Sequence, residues 1–161
     1  VAGKAITFAE FLKFGKPYAK AVVGNARALA EALVEQGASV LGESHGYTAS
    51  HQVAIDVTKY GDGGKVEKKL EDMNIIANRQ LLPGDLAAGR HYTNPGGIRV
   101  GVSELTRLGM GKSEMKEVAK ILQLAMSTDR ADEVKRRVRS LRRQHQRVKY
   151  SFDNSPAYFY K

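Results

Sequence analysis

In the stretch NPGGIRVGVSELTRLGM, residues 94–110, Ile98, Val100 and Val102 alternate as they would on the buried side of a short strand, and Arg99 sits in their middle. If those three face a core, Gly97, Arg99 and Gly101 share the opposite face, where missing side chains leave room for a small anion to reach the guanidinium. A planar five-donor fork binds a carboxylate or phosphate bidentately, with bonds about twice as strong as neutral ones. The competing use of Arg99 is an internal salt bridge, with Asp56 or Asp85 as partner.

Other candidates are less specific. His51 opens a second apolar alternation and could serve as acid, base or ligand, or as a hydrogen-bonded structural residue at a strand end. Asn78, Gln80, Pro83 and Asp85 cluster in a turn-rich segment whose simplest chemistry is that of turns. In GDGG, Gly61, Gly63 and Gly64 lack the lysine and hydroxyl that close a phosphate loop, and read as turn glycines. There is no cysteine, and His45, His51, His91 and His145 share no metal-ligand spacing, so no metal site is expected. No nucleophile stands beside a base. One carboxylate receptor without a reactive group implies that a cofactor or further chain supplies the chemistry.

The elements that must position these residues follow from periodicity. Tyr18, Val22, Ala26, Leu29 and Leu33 recur every three or four residues ahead of Gly37, which predicts an amphipathic helix ended by a left-handed glycine. Residues 51–57 predict a strand with His51, Val53, Ile55 and Val57 on one face and Gln52, Ala54 and Asp56 on the other. Asp62 can cap a helix through Met73, with Asn74 as its stop, before Ile75, Ile76 and Ala77 resume extended structure. Residues 81–96 hold two prolines and several glycines without periodicity, a long loop leading into the Arg99 strand. Helices follow from about Lys112 and over about 129–149, the latter with a seam of Val134, Val138, Leu141, His145 and Val148. The aromatic end, YSFDNSPAYFYK, should pack back on the body. The expected fold class is α/β, in the sense of helices packed on a small, mostly antiparallel or mixed sheet.

Composition bounds the partners. The chain has 161 residues, 42% hydrophobic, long enough for one domain with a core, and no apolar run nears the roughly 20 residues that span a bilayer. Val1 is not an initiator methionine, which suggests a trimmed fragment, and the lack of cysteine fits a reducing, cytoplasmic setting. Much of the net charge of +9 is local: residues 129–149 carry nine Lys or Arg against three acids, a net +6. That helix could touch nucleic acid phosphates, but its charges surround an apolar seam without interleaved aromatics, which favours a solvated face.

Taken together, the segments resemble serine hydroxymethyltransferases, pyridoxal phosphate enzymes of the aspartate aminotransferase fold (fold type I). NPGGIRVGVSELTRLGM resembles the family's glycine-isoleucine-arginine-hydrophobic-glycine segment. VAGKAITFAEF is similar to the stretch leading into the linker helix, YAKAVVGNARALAEALVEQG to the small-domain helix, SHQVAIDV to the asparagine-histidine strand, and MNIIANRQLLPGD to the asparagine-rich turn ending in proline and aspartate. The resemblance runs over about residues 1–125 and implies a linker segment at 1–16 and a C-terminal small domain over 17–161. It implies that Arg99 binds the carboxylate of a glycine, serine or threonine-type substrate, with Gly97 and Gly101 giving access, and that Asn78, Gln80, Pro83 and Asp85 lie toward the folate or aldehyde. It also implies pyridoxal phosphate held mainly by a large domain outside this chain, a homodimeric full enzyme, and no turnover by this fragment alone, since Lys4 does not match the family's Schiff-base lysine. Gln80 stands where the family usually has a pterin-contacting asparagine, residues 90–96 replace its proline-phenylalanine stretch, and Leu108 replaces a second arginine. These departures open an alternative of the same fold, a threonine aldolase or transaldolase that works without tetrahydrofolate.

Overall fold

The computed structural model describes residues 2–153 and 156. Helix α1 runs Ala2–Glu35 without a break, so the expected linker and the small-domain helix are one helix that continues through Pro17. An interior proline costs about 3 kcal/mol, but ring packing of Phe11 on Tyr18, centroids 6.0 Å apart, holds the two sides of it together. The second half carries the predicted stripe, with Val22, Ala26, Leu29 and Leu33 buried, and stops at Gly37 in the left-handed region (φ 80°).

Four antiparallel strands, β1 (Ser39–Val40), β2 (Gln52–Asp56), β3 (Asn78–Gln80) and β4 (Gly97–Gly101), form a sheet in the order β1-β2-β4-β3. No parallel pair occurs among them. Val53 and Ile55 of β2 and Ile98 and Val100 of β4 are buried with the apolar residues of the helices, whereas the residues between them are half-buried or exposed, Gly97 excepted. Fully burying one such aliphatic side chain contributes about 1.5–3 kcal/mol. A one-residue slip would move all four to the polar face, and this fixes the register.

Between β2 and β3, α2 (Gly63–Asp72) is capped by Asp62, whose carboxylate accepts from the Lys65 amide at 2.9 Å, and Asn74 (φ 65°) ends it as predicted. Gly63 and Gly64 therefore open a helix instead of forming a turn. After β4 come α3 (Ser103–Arg107), α4 (Lys112–Ser127) and α5 (Ala131–Gln144). Helix α5 buries Val134 and packs Val138 and Leu141 on the core, but it ends at Gln144 and not near residue 149. The chain leaves helical geometry at His145 (φ −129°, ψ 74°), and four residues on the Lys149 amide donates to the Arg107 carbonyl at 2.7 Å. Tyr150 then packs on Tyr18 and Phe152 on Phe14, so this part of the aromatic end returns to α1. Tyr158, Phe159 and Tyr160 lie outside the described residues.

Candidate functional site

The polar face of the sheet centres on Arg99. Residues directly opposite across antiparallel strands share a face, and Arg99 lies opposite Ala54 of β2 and Asn78 of β3. One register step along, Gly97 is flanked by Asp56 and Gln80; one step the other way, Gly101 is flanked by Gln52. The sheet thus gathers Gly97, Arg99 and Gly101 on one surface, as the spacing predicts, and adds Asn78 and Gln80, which lie in strand β3 and not in the turn-rich segment expected for them.

Neither acid proposed as a salt-bridge partner reaches Arg99. Asp56 is occupied by its own turn, accepting from the Thr58 amide at 2.8 Å and the Thr58 hydroxyl at 2.7 Å. Asp85, 6% exposed, accepts at Oδ2 from the Leu82 amide at 2.8 Å and the Gly96 amide at 2.7 Å, with Arg90 Nε 3.7 Å from Oδ1. Burial alone would raise the Asp85 pKa, but the two amides and the Arg90 charge outweigh it and hold the carboxyl below the usual range. Half-buried Arg99 has no side-chain hydrogen bond or ion pair among the described residues.

Two expected site residues take other roles. Gly97 gives no access: Leu82 covers it, and a methyl built there would lie 2.7 Å from Leu82 Cγ. The open space beside Arg99 is at Gly101, where a methyl would meet only His51, at 3.7 Å from Cδ2, and above Ala54, whose own side chain is small. Asp85 is a buried clasp of the loop and does not point to a ligand, while Pro83 is exposed in the turn before it. His51 precedes β2, is exposed, and uses its carbonyl to accept from the Val102 amide at 3.1 Å; its ring borders the Gly101 end. Gln80 donates to the Leu81 carbonyl at 3.0 Å, which anchors its amide at the loop entrance. Sequence reasoning missed Leu82, because a leucine in an aperiodic loop carries no signal of what it covers.

The basic helix shows both kinds of arginine. Arg137 is paired with Glu133 at 2.9 Å and Glu117 at 3.8 Å, whereas Arg136, Arg139 and Arg143 are exposed. Among the described residues no group of His, Cys, Asp and Glu could hold a metal ion, and no helix is long and apolar enough to cross a membrane.

Residues 1–122 match the family model for serine hydroxymethyltransferase. This chain belongs to the serine hydroxymethyltransferase family. It is 56% identical to the serine hydroxymethyltransferase of Cenarchaeum symbiosum over 99% of its length and 37% of that protein. Identity to the enzyme of the same name from Nitrosopumilus maritimus is 55%, over 96% of this chain and 35% of that protein. Among solved structures, it superposes on an L-threonine transaldolase from Pseudomonas fluorescens with a TM-score of 0.78, at 31% identity, over 92% of this chain and 33% of that one. The family fold expected from the sequence, helices on a small antiparallel sheet, is the one observed. The chain spans little more than a third of the curated relatives it matches.

Membership in the serine hydroxymethyltransferase family implies pyridoxal phosphate. The residues of the Arg99 face do not form a cradle for it: Gln52, Ala54, Asn78, Gln80 and Arg99 include no lysine to bond its aldehyde, and Lys4 is exposed at the start of α1. What this face offers is a guanidinium with amides beside it.

Proposed function

We propose that this chain is the substrate-carboxylate domain of a serine hydroxymethyltransferase, an enzyme that makes or breaks the Cα–Cβ bond of a β-hydroxy amino acid. The observation that carries the reading is the half-buried Arg99 guanidinium, unpaired among the described residues, in the middle of a polar sheet face, with Asp56 and Asp85 both engaged elsewhere. Arg99 receives the α-carboxylate as a fork, and Asn78 lies directly opposite it in register on β3, a side-chain amide on the same face. Because Arg99 stands on a strand whose neighbours are locked in the core, the carboxylate is held at a fixed height and direction, so the bond to be broken is oriented instead of sampling solution conformers. Cofactor binding falls to the part of the relatives' length that this chain does not span, as does the interface of the homodimer we expect for the complete enzyme.

The same-fold alternative, a threonine aldolase or transaldolase, is not favoured: relatives at 55–56% identity carry the hydroxymethyltransferase name, against 31% for the transaldolase. A tetrahydrofolate carrier is consistent with this name, and Gln80, whose amide donates to the Leu81 carbonyl at the loop entrance, stands where the resemblance puts the family's pterin-contacting asparagine.

In the complete enzyme, Arg99→Ala should lower kcat/KM for serine about 10- to 100-fold, since hydrogen bonds to charged groups contribute about 1.5–3 kcal/mol. Arg99→Lys should restore little, because a point charge does not reproduce the fork. Unchanged kinetics in Arg99→Ala would show that the residue has no part in substrate binding.

A further inference from the structure

The loop of residues 81–96 is fixed at both ends beside Arg99. At its start, the Leu82 amide donates to Asp85; at its end, so does the Gly96 amide, the residue immediately before β4. The Gly96 carbonyl accepts from the Val57 amide at 2.9 Å and the Pro95 carbonyl from the Gly63 amide at 2.7 Å, tying the same end to β2 and α2. Gly96 itself has no room for a side chain, since a methyl there would lie 2.6 Å from Asp85 Oδ1. One buried carboxylate thus joins the two ends of the loop.

The consequence falls on Leu82, whose isobutyl group fills the space that Gly97 leaves empty. Gly97 is two residues before Arg99 on the same face, about 6.6 Å away at the rise of a strand. The face is therefore closed by an apolar wall on the Gly97 side and open on the Gly101 side. We infer that Leu82, positioned by Asp85, is a specificity wall: an amino acid held at Arg99 is denied the space above Gly97, so substrates with a bulky group on the β-carbon are selected against. This rests on Arg99 being the carboxylate clamp. Asp85 acts through Leu82 and is a positioning residue.

The test uses the complete enzyme with serine and with β-phenylserine, whose cleavage to glycine and benzaldehyde is followed by the aldehyde. Leu82→Ala should raise the ratio of kcat/KM for β-phenylserine to that for serine about tenfold or more, the scale at which a pocket reads one or two methylenes. Asp85→Ala, which frees both amides, should raise the same ratio, while Asp85→Asn retains an acceptor oxygen for them and should keep the wild-type ratio. A general loss of structure would lower both substrates alike and leave the ratio unmoved. Should Leu82→Ala fail to fold, as judged by Tm, Leu82→Val should give a smaller rise in the same direction. A ratio unchanged in a folded Leu82 variant overturns the wall, and a raised ratio in Leu82→Ala but not in Asp85→Ala overturns the positioning role. If Arg99→Ala leaves serine turnover intact, the clamp itself is wrong; if it cripples turnover while the Leu82 ratio stays put, only the wall is.

Discussion

Glycines show how a single missing methyl can carry opposite signs in this fold. Gly63 begins α2, donates its amide to the Pro95 carbonyl, and presses on β4 so closely that a methyl would overlap the Gly97 carbonyl oxygen and come within 3.1 Å of Pro95 Cγ. Gly24 lies inside α1, and a methyl there would meet only the flexible end of Lys112, at 3.4 Å. Replacing an interior helical glycine by alanine ordinarily stabilises by about 0.5–1 kcal/mol, whereas forcing atoms into a packed contact costs about 1–3 kcal/mol. At Gly63 the obstacle is the Gly97 backbone on one side and the rigid Pro95 ring on the other, so the second effect should win; at Gly24 the first should. Thermal unfolding should accordingly show Gly63→Ala lowering Tm by several degrees and Gly24→Ala raising it slightly, at about 2–4 °C per kcal/mol for a chain of this size. Equal shifts of the same sign would show that α2 does not depend on its close approach to the Arg99 strand.

At the scale of elements, Glu10 joins three of them. It is 8% exposed on α1, and its Oε2 accepts from Arg107 of α3 at 2.6 Å while Oε1 accepts from the Phe152 amide of the returning chain at 3.1 Å. The Arg107 hydrogen bond holds its pKa below the ordinary value, against the opposing effect of burial. For a carboxylate with a depressed pKa, the stabilisation is present above the unfolded-state value, here 4.5, and is lost as pH falls through the folded-state value. The junction should therefore be intact at neutral pH and loosen below pH 4.5, and Glu10→Gln should loosen it at pH 7. Hydrogen exchange at the Lys149 and Phe152 amides reads this directly, and protection unaltered in Glu10→Gln would remove Glu10 from the junction. Such long-range ties mark the boundary of what the sequence discloses. The second half of α1 and the alternation in β2 and β4 were legible because their buried residues repeat with the period of the element. The first half of α1 was not, since Phe8, Phe11 and Leu12 are exposed and join no core among the described residues. Val148 continues the α5 seam on paper, but the helix stops at Gln144, and the chain beyond it is held instead by the hydrogen bond from Lys149 to the Arg107 carbonyl. Arg99 could be singled out because its neighbours on β4 are glycines, whereas the filling of Gly97 by Leu82 depends on a loop with no period to read.

On the scale of the whole molecule, the chain presents a clamp that water can reach. Arg99 is half-buried and has no side-chain partner among the described residues, and the chain spans little more than a third of its curated relatives. An ion pair in contact with solvent is worth about 0–1 kcal/mol, which corresponds to a dissociation constant of about 0.2 M or weaker. The same pair gains strength when surrounding protein excludes water and lowers the local dielectric. The isolated chain should therefore bind glycine only at hundreds of millimolar and release no aldehyde from any β-hydroxy amino acid, even with pyridoxal phosphate added, because the Arg99 face has no lysine to receive the cofactor. An NMR titration that follows the Arg99 Nε–H signal measures the first expectation, and an aldehyde assay the second. Submillimolar saturation of the isolated chain would mean that β4 and its neighbours already make a complete amino acid site; weak binding that becomes saturable only in the full-length enzyme would place most of the site's affinity in the residues that cover this face.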